Sequence, residues 1–293
     1  MRQDAARYAI DLTPQPNSEQ EKKIPRVSAV VVSYNRRDLL RACLESLEKS
    51  DGRENFQLIA VDNGSTDGAA QLDSDFPNVQ FVRVPKNFGL TKAMNLGWRA
   101  ADAPYVLFLH DDTEVEPGAA AKLADVLDSH DDAAAACPLL VDREGRPAPQ
   151  LGSLPPDGTW HPAEVSGRDP VAVEYPRGAA LMMRSRLITA VRQIDERYGQ
   201  FGADADLAAQ IRRASKKILL VPDAKVRHYG SDGYNAAERA DFLLARAAFI
   251  GKYAGIGAGL SARIGAIFGP LFGFRFGELS RTISGQKIDG TQQ

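Results

Sequence analysis

Tyr105-Val-Leu-Phe-Leu109 is an apolar run that stops abruptly at His110-Asp111-Asp112-Thr113, which sets an imidazole beside two carboxylates. Groups of this kind suit a divalent cation that shares its coordination with a phosphorylated ligand. A buried strand ending in them would deliver them to the carboxyl edge of a parallel sheet, where ligand crevices open. The competing reading makes Asp111 and Asp112 caps of a following helix, with Pro117 as its first residue.

Two further apolar runs end in polar clusters. Val27 to Ser33 is β-branched and leads into Tyr34-Asn35-Arg36, and Phe56 to Val61 leads into Asp62-Asn63-Gly64-Ser65-Thr66-Asp67. Side by side, the three ends would offer a ring to stack on a base, a carboxylate for base or ribose hydroxyls, and a metal site for a diphosphate. That set describes a nucleotide pocket. Turn formation by Asn63-Gly64 and Asp67-Gly68 explains those residues singly, but not the agreement of three strands.

The elements that must position these groups alternate. Leu39, Leu40, Cys43, Leu44 and Leu47 recur at helical spacing after the first strand, and Ala93, Leu96, Gly97 and Ala100 do so before Tyr105. With Val79 to Val84 as another strand, the order predicts an α/β, Rossmann-like and mostly parallel central sheet with flanking helices. Beyond residue 130 we expect a strand over Ala133 to Val141 and a surface excursion over 142–170, which is rich in Pro, Gly and Asp. A strand over Glu174 to Arg184, a helix over Asp204 to Ser215 and a strand over Lys217 to Val221 follow, then a largely helical end. The expected organisation is a flexible segment (1–24), one catalytic domain (25–234) and a helical C-terminal extension (235–293). Within the domain, the nucleotide half is 25–115 and the acceptor half 116–234.

Thirty-six basic residues against 38 acidic ones give a formal net charge of -2 in a chain of 293 residues, which argues against nucleic acid as a partner. Cys43 and Cys137 lack metal-ligand spacing and read as buried thiols in a reducing compartment. The first 24 residues lack the apolar core of a signal peptide. The apolar stretch Ala266 to Phe274 is too short to span a bilayer. These features predict a cytoplasmic protein, with peripheral contact at the inner face of the plasma membrane as the most that a lipid surface could offer.

Val30-Val-Val-Ser-Tyr-Asn-Arg36, Val61-Asp-Asn-Gly-Ser-Thr-Asp-Gly68, Asn87-Phe-Gly89 with Asn95-Leu-Gly97, and Leu109-His-Asp-Asp-Thr113 resemble the motif series of family 2 glycosyltransferases. The likeness is strongest to the bacterial rhamnosyl- and galactofuranosyltransferase branch and runs over residues 27–230. It implies a GT-A fold, a UDP-, dTDP- or GDP-linked sugar donor, Mn2+ or Mg2+, and inversion at the anomeric carbon. By the same resemblance, Tyr34 and Asp62 contact the nucleoside with Ser33 and Asn35 beside them, and Asn87 and Gly89 line the same pocket. Asp112 would bind the metal, while Asp111 would meet the ribose or diphosphate. His110 stands where the family has its first acid, either as a weak ligand or as a supporting group. Lys92 would reach the diphosphate as a point charge, or remain a solvated helix lysine.

Phe201-Gly-Ala-Asp-Ala-Asp-Leu207 resembles the family segment that carries the general base, so Asp204 would take the acceptor's proton; helix capping is its alternative. Ala203 replaces the family's glutamate, and Asp206 reads as a cap or a partner for Arg212 or Arg213. His228 matches a family histidine that joins the metal or diphosphate. Leu260, Ile264, Ile267, Phe268, Leu271 and Phe272, edged by Arg263, Arg275, Arg281 and Lys287, form an apolar face. It would either pack on its own domain or approach a lipid-linked acceptor. The expected function is therefore metal-dependent, inverting sugar transfer to a hydroxyl of a glycan or lipid-linked acceptor in bacterial cell-surface polysaccharide synthesis. Nucleotidyl transfer and silent nucleotide-sugar binding are the alternatives.

Overall fold

The computed structural model describes residues 24–230 and 234–288, so the expected flexible segment, apart from Ile24, lies outside the described residues. Each apolar run of the N-terminal half forms a strand: β1 (Val27–Ser33), β2 (Phe56–Asp62), β3 (Val79–Arg83) and β4 (Tyr105–His110). Helices α1 (Arg37–Glu48) and α2 (Leu90–Arg99) supply the crossovers. Helix α1 buries Leu40, Cys43, Leu44 and Leu47, one stripe of its surface. Helix α2 lies so close to the sheet that a Cβ on Gly97 would fall 2.3 Å from Val30 Cγ1. Strands β1 to β4 are mutually parallel in the order β3-β2-β1-β4.

After β4 come the short strand β5 (Thr113–Val115), helix α3 (Ala119–Ser129) and strand β6 (Ala133–Val141). Helix α3 starts two residues after Pro117 with Gly118 at its N-cap, so neither Asp111 nor Asp112 caps it. The excursion over 142–170 is not structureless. Strands β7 (Pro149–Gly152) and β8 (His161–Pro162) pair within it, followed by β9 (Val171–Val173) and β10 (Tyr175–Pro176), and β10 joins β7 to complete a three-stranded sheet. The expected strand over Glu174 to Arg184 is therefore split. Arg177, Gly178 and Ala179 break it before β11 (Ala180–Arg184).

Strand β11 runs antiparallel between β4 and β6, so the parallel order of the nucleotide half becomes mixed in the acceptor half. Helices α4 (Ser185–Ala190) and α5 (Ala203–Arg213) precede β12 (Lys217–His228), which runs well beyond the expected Val221. Strand β12 lies parallel to β6, and its far end is antiparallel to β5. Helices α6 (Ala236–Ala254), α7 (Ile256–Phe272) and α8 (Phe276–Ser284) complete the chain.

Two apolar clusters fill the sheet's faces, one containing Leu40, Leu107 and Leu123 and the other Ile59, Met183 and Ile211. Each such side chain contributes about 1.5–3 kcal/mol when fully buried. Cys43 and Cys137 are free and buried, as expected, and burial pushes both thiols up to about 12.

Candidate active site

Strand register brings the polar ends together. Ser33 lies opposite Asp62 across β1 and β2, and Val32 opposite His110 across β1 and β4. His228 reaches the same edge because β12 pairs with β5, setting His228 opposite Thr113. Residues more than a hundred positions apart thereby meet.

The site centres on Asp112, whose residue is 6% exposed. Its Oδ2 accepts from the Arg36 guanidinium at 3.0 Å. Its Oδ1 is buried and has no hydrogen-bond partner. Near Oδ1 lie His228 Nε2 at 3.4 Å and His110 Nδ1 at 3.9 Å. One ligand atom from each of His110, Asp112 and His228 falls within 4.8 Å of the others. An orphaned carboxylate oxygen facing two imidazoles is costly without an ion and fits a divalent cation.

Electrostatics favour the ligating forms. Burial opposes ionisation of Asp112, but His228, His110 and Arg36 outweigh it and hold the carboxyl well below the usual range. Burial lowers His110 to about 4, helped by His228, Arg177 and Arg36 against Asp112, so the ring is neutral at pH 7 and can ligate. Asp111 is raised to about 6, chiefly by burial and also by Asp112, against Ser33 and Arg36. Ser33 Oγ donates to Asp111 at 2.8 Å. Gly230 gives His228 its room, since a Cβ there would lie 2.5 Å from the ring.

Two cavities open on either side of His110. One, of about 910 Å³, is lined by Tyr34, Arg36, Asn63, Asn87 and Asp111, with Asn235, Glu238 and Ile288 from the C-terminal region. Tyr34 is 36% exposed there. Asn63 frames this groove by donating to Asn87 Oδ1 at 2.9 Å and to the Gly89 carbonyl at 3.3 Å, while its own oxygen accepts from Phe88 N. Gly89 sits at φ +83, a backbone that favours glycine, and is the N-cap of α2. Asn35 Oδ1 accepts from Thr66 N at 2.8 Å. Asp62 accepts from Ser65 N at 2.9 Å, so it shapes the turn behind the groove. Lys92 is half-buried on α2, and neither cavity's lining includes it.

The second cavity, of about 880 Å³, is walled by Trp160, Tyr175, Arg177, Phe201, Phe242 and Arg246, with Asp204 among its lining residues. Both cavities share Leu90, His110 and Gln200. Asp204 follows the N-cap Gly202 by two residues. Its Oδ1 accepts from Tyr175 OH at 3.1 Å and Ala205 N at 2.8 Å, and its Oδ2 from Gly178 N at 3.2 Å. Gly202 and not Asp204 is the N-cap, so the capping alternative is not realised, although Asp204 does satisfy one first-turn amide, that of Ala205. Burial raises the Asp204 carboxyl above the usual range despite these donors. A carboxylate so raised is a stronger base than an exposed one.

Asp206 departs from the expected pairing. It is 1% exposed and is held by Tyr253, Gln210 and Lys252 rather than by Arg212 or Arg213. Arg212 instead pairs with Glu174, and Arg213 lies over the Tyr253 ring. Sequence reasoning also missed Arg36, Arg177 and Gln200 as site residues; Arg36 stood inside a recognised motif, which was the available signal. From α6, buried Asp241 accepts from the backbone N–H groups of Gln200, Phe201 and Ile288. It fixes the loop that carries Gln200.

Comparison with known proteins places this geometry. The model of the family described as "Glycosyl transferase family 2" matches residues 28–188, more than half the chain, while Asp204 and His228 lie beyond the match. Teichoic acid poly(glycerol phosphate) polymerase of Staphylococcus epidermidis is 32% identical over 31% of this chain and 13% of its own length. The O-antigen biosynthesis protein RfbC of Myxococcus xanthus is 23% identical over 77% of this chain and 19% of its own. The chain therefore spans a minor part of these relatives. Among solved structures, GalNAc-T7 with UDP, GalNAc and Mn2+ has a TM-score of 0.65 at 17% identity, covering 78% of this chain and 48% of that one. Residues 1–349 of S. aureus TarS in complex with UDP-GlcNAc give 0.56 at 17% identity, covering 77% and 66%. These likenesses show the GT-A fold.

Proposed function

The chain belongs to glycosyl transferase family 2, and on that premise we propose that it transfers a sugar, with inversion, from a nucleotide-sugar donor to an acceptor hydroxyl. The acceptor is a glycan or a lipid-linked saccharide of bacterial cell-surface polysaccharide synthesis, and the reaction is cytoplasmic. One observation carries the reading. The groove lined by Tyr34, Arg36 and Asp111 and the cavity that holds half-buried Asp204 share one wall, formed by His110, Leu90 and Gln200, and His110 also belongs to the candidate metal-ligand group.

Tyr34 stacks on the base of the donor, with Asn87 and Gly89 framing the groove and Asp62 holding the turn beside it. Asp112 and His228 would hold a divalent cation, Mn2+ or Mg2+, with His110 as a third candidate ligand. When bound, the cation neutralises charge growing on the nucleoside diphosphate leaving group. Arg36 adds positive charge beside the same carboxylates. In the second cavity the acceptor oxygen attacks the anomeric carbon from the face opposite the diphosphate. Its proton passes to Asp204, the new C–O bond forms, and the bond to the diphosphate oxygen breaks with its electron pair. Tyr175 and the Gly178 amide orient Asp204 for that transfer.

The polymerase and O-antigen relatives support the polysaccharide context, and the UDP-bound neighbours support a uridine donor as the first to test. A thermal-shift screen of UDP, dTDP and GDP sugars with Mn2+ identifies the donor, since a ligand that binds the folded state raises its melting temperature. Release of nucleoside diphosphate with candidate acceptors then tests the reaction. Pyrophosphate release would instead mark nucleotidyl transfer, and no release a binding protein. Asp112→Ala is expected to abolish the Mn2+-dependent part of donor binding in calorimetry; unchanged Mn2+ dependence would remove Asp112 from the metal site.

A further inference from the structure

Helix α7 turns one side to α6 and the other to solvent. Its inner side carries Gly259, Ala266 and Pro270, all buried. The two helices touch backbone to backbone, because a Cβ on Gly259 would lie 2.5 Å from Gly251 Cα. Its outer side repeats Ile256, Leu260, Ile264 and Phe268 every fourth residue, exposed by 88, 60, 47 and 47%. Phe272 continues the row at 76%. Of the two alternatives for this face, packing on its own domain is not realised for the row, which remains bare.

The turn into α8 extends it. Phe274 is 79% exposed and stands at φ 54, a left-handed backbone that disfavours a side chain, and Phe276 follows at 64%. The Phe274 ring meets Phe276 edge-on, 6.4 Å between centroids, but the fold does not bury it, and such strain collects at functional segments. Among the described residues, the large apolar side chains exposed elsewhere are only Ile24, Tyr34 and Val171.

The charge on this region has one sign. From Gly255 to Gly277 the charged residues are Arg263 and Arg275, and up to Ile288 the sequence adds Arg281, Lys287 and Glu278. Glu278 is 1% exposed and bonded to Arg239 and Arg275, so the accessible charge is basic. We propose that the outer face of α7 and α8 is a docking surface for an anionic lipid bilayer. The apolar row would sit at the boundary of headgroups and acyl chains while the arginines reach lipid phosphates. A second copy of the chain fits less well, because two such faces would bring arginines together with no carboxylate between them. No helix among the described residues is long and apolar enough to span a membrane, so attachment is in the plane. Helix α6 carries α7 on one side and lends Phe242, Ala245 and Arg246 to the acceptor cavity on another, so docking would hold that cavity beside the bilayer.

Co-sedimentation of the full chain with unilamellar vesicles tests this without donor, metal or acceptor, and so independently of the sugar-transfer reading. We expect binding to vesicles of phosphatidylcholine with phosphatidylglycerol, weakened by salt, and little binding to phosphatidylcholine alone. Phe272→Glu and Phe276→Glu should each lower it by about tenfold or more. Equal binding to both vesicle types, or none to either, overturns the proposal on the unsubstituted protein, whatever the variants do. A dimer in sedimentation velocity that Phe272→Glu disperses would assign the face to a second copy instead.

Discussion

Replacing Asp204 with Asn separates chemistry from binding and folding. Asn keeps the Oδ1 acceptor for Tyr175 OH and Ala205 N, but its amide would face Gly178 N–H, donor against donor. That mismatch costs about 1–3 kcal/mol. It is offset because the folded protein no longer buries a charge. Burial raises the Asp204 carboxyl above its unfolded value, so its stabilising contribution is present below the unfolded pKa of about 3.9 and is lost as pH rises through the folded value. At neutral pH the two effects oppose each other, and the melting temperature should stay near that of the wild type. Relative to the variant, the wild type should gain stability as the pH falls toward about 4. Turnover should behave differently. Loss of a general base lowers kcat by about 10²–10⁴, or about 2.7–5.4 kcal/mol of barrier. Donor affinity in calorimetry should be unchanged, since Asp204 lines the other cavity. Turnover within tenfold of the wild type, in a variant that melts and binds donor normally, would refute Asp204 as the base.

Further outcomes follow from the same contacts. Tyr175→Phe removes a donor that lowers the Asp204 pKa, so the acid limb of kcat/KM, already above the usual carboxylate range, should move to higher pH; a static limb would detach Tyr175 from the base. Gly230→Ala pushes a methyl into the His228 ring, and we expect about tenfold weaker Mn2+ binding in calorimetry, with an unchanged affinity counting against His228 as a ligand. Asp206→Ala leaves Lys252, Tyr198 and Tyr253 without their shared acceptor. It should cost about 3–5 kcal/mol in chemical denaturation, toward the lower end because Lys252 keeps Asp195.

What the sequence revealed divides by the range of the interactions. Strands β1 to β4 and the clusters at their ends are local patterns, and a β-branched run that stops at Asp or His announces itself. The direction of β11 is not local, because a five-residue apolar run reads alike in either sense. Its insertion between β4 and β6 is decided by which sheet edge is open. Asp112 and His228 were legible separately through motif likeness, but their meeting depends on β5 pairing with the far end of β12. The sequence alone does not single out Arg36, because a turn arginine commonly points to solvent, whereas here the two carboxylates draw it in. Asp206 reads as a partner of Arg212 or Arg213 on its own helix, whereas from that helix it is Gln210 that reaches it, and its other partners come from α6 and the residues before α5.

The three C-terminal helices look detachable in the sequence, yet Asp241 ties them by backbone hydrogen bonds to the loop carrying Gln200, and Tyr234, Phe242 and Arg246 wall the second cavity. The catalytic unit therefore has no clean cut at residue 234. A change in these helices, whether by substitution or exchange, is also a change in the wall of the second cavity, so on the proposed roles of that cavity and of the outer face of α7 and α8, acceptor choice and membrane attachment would vary together.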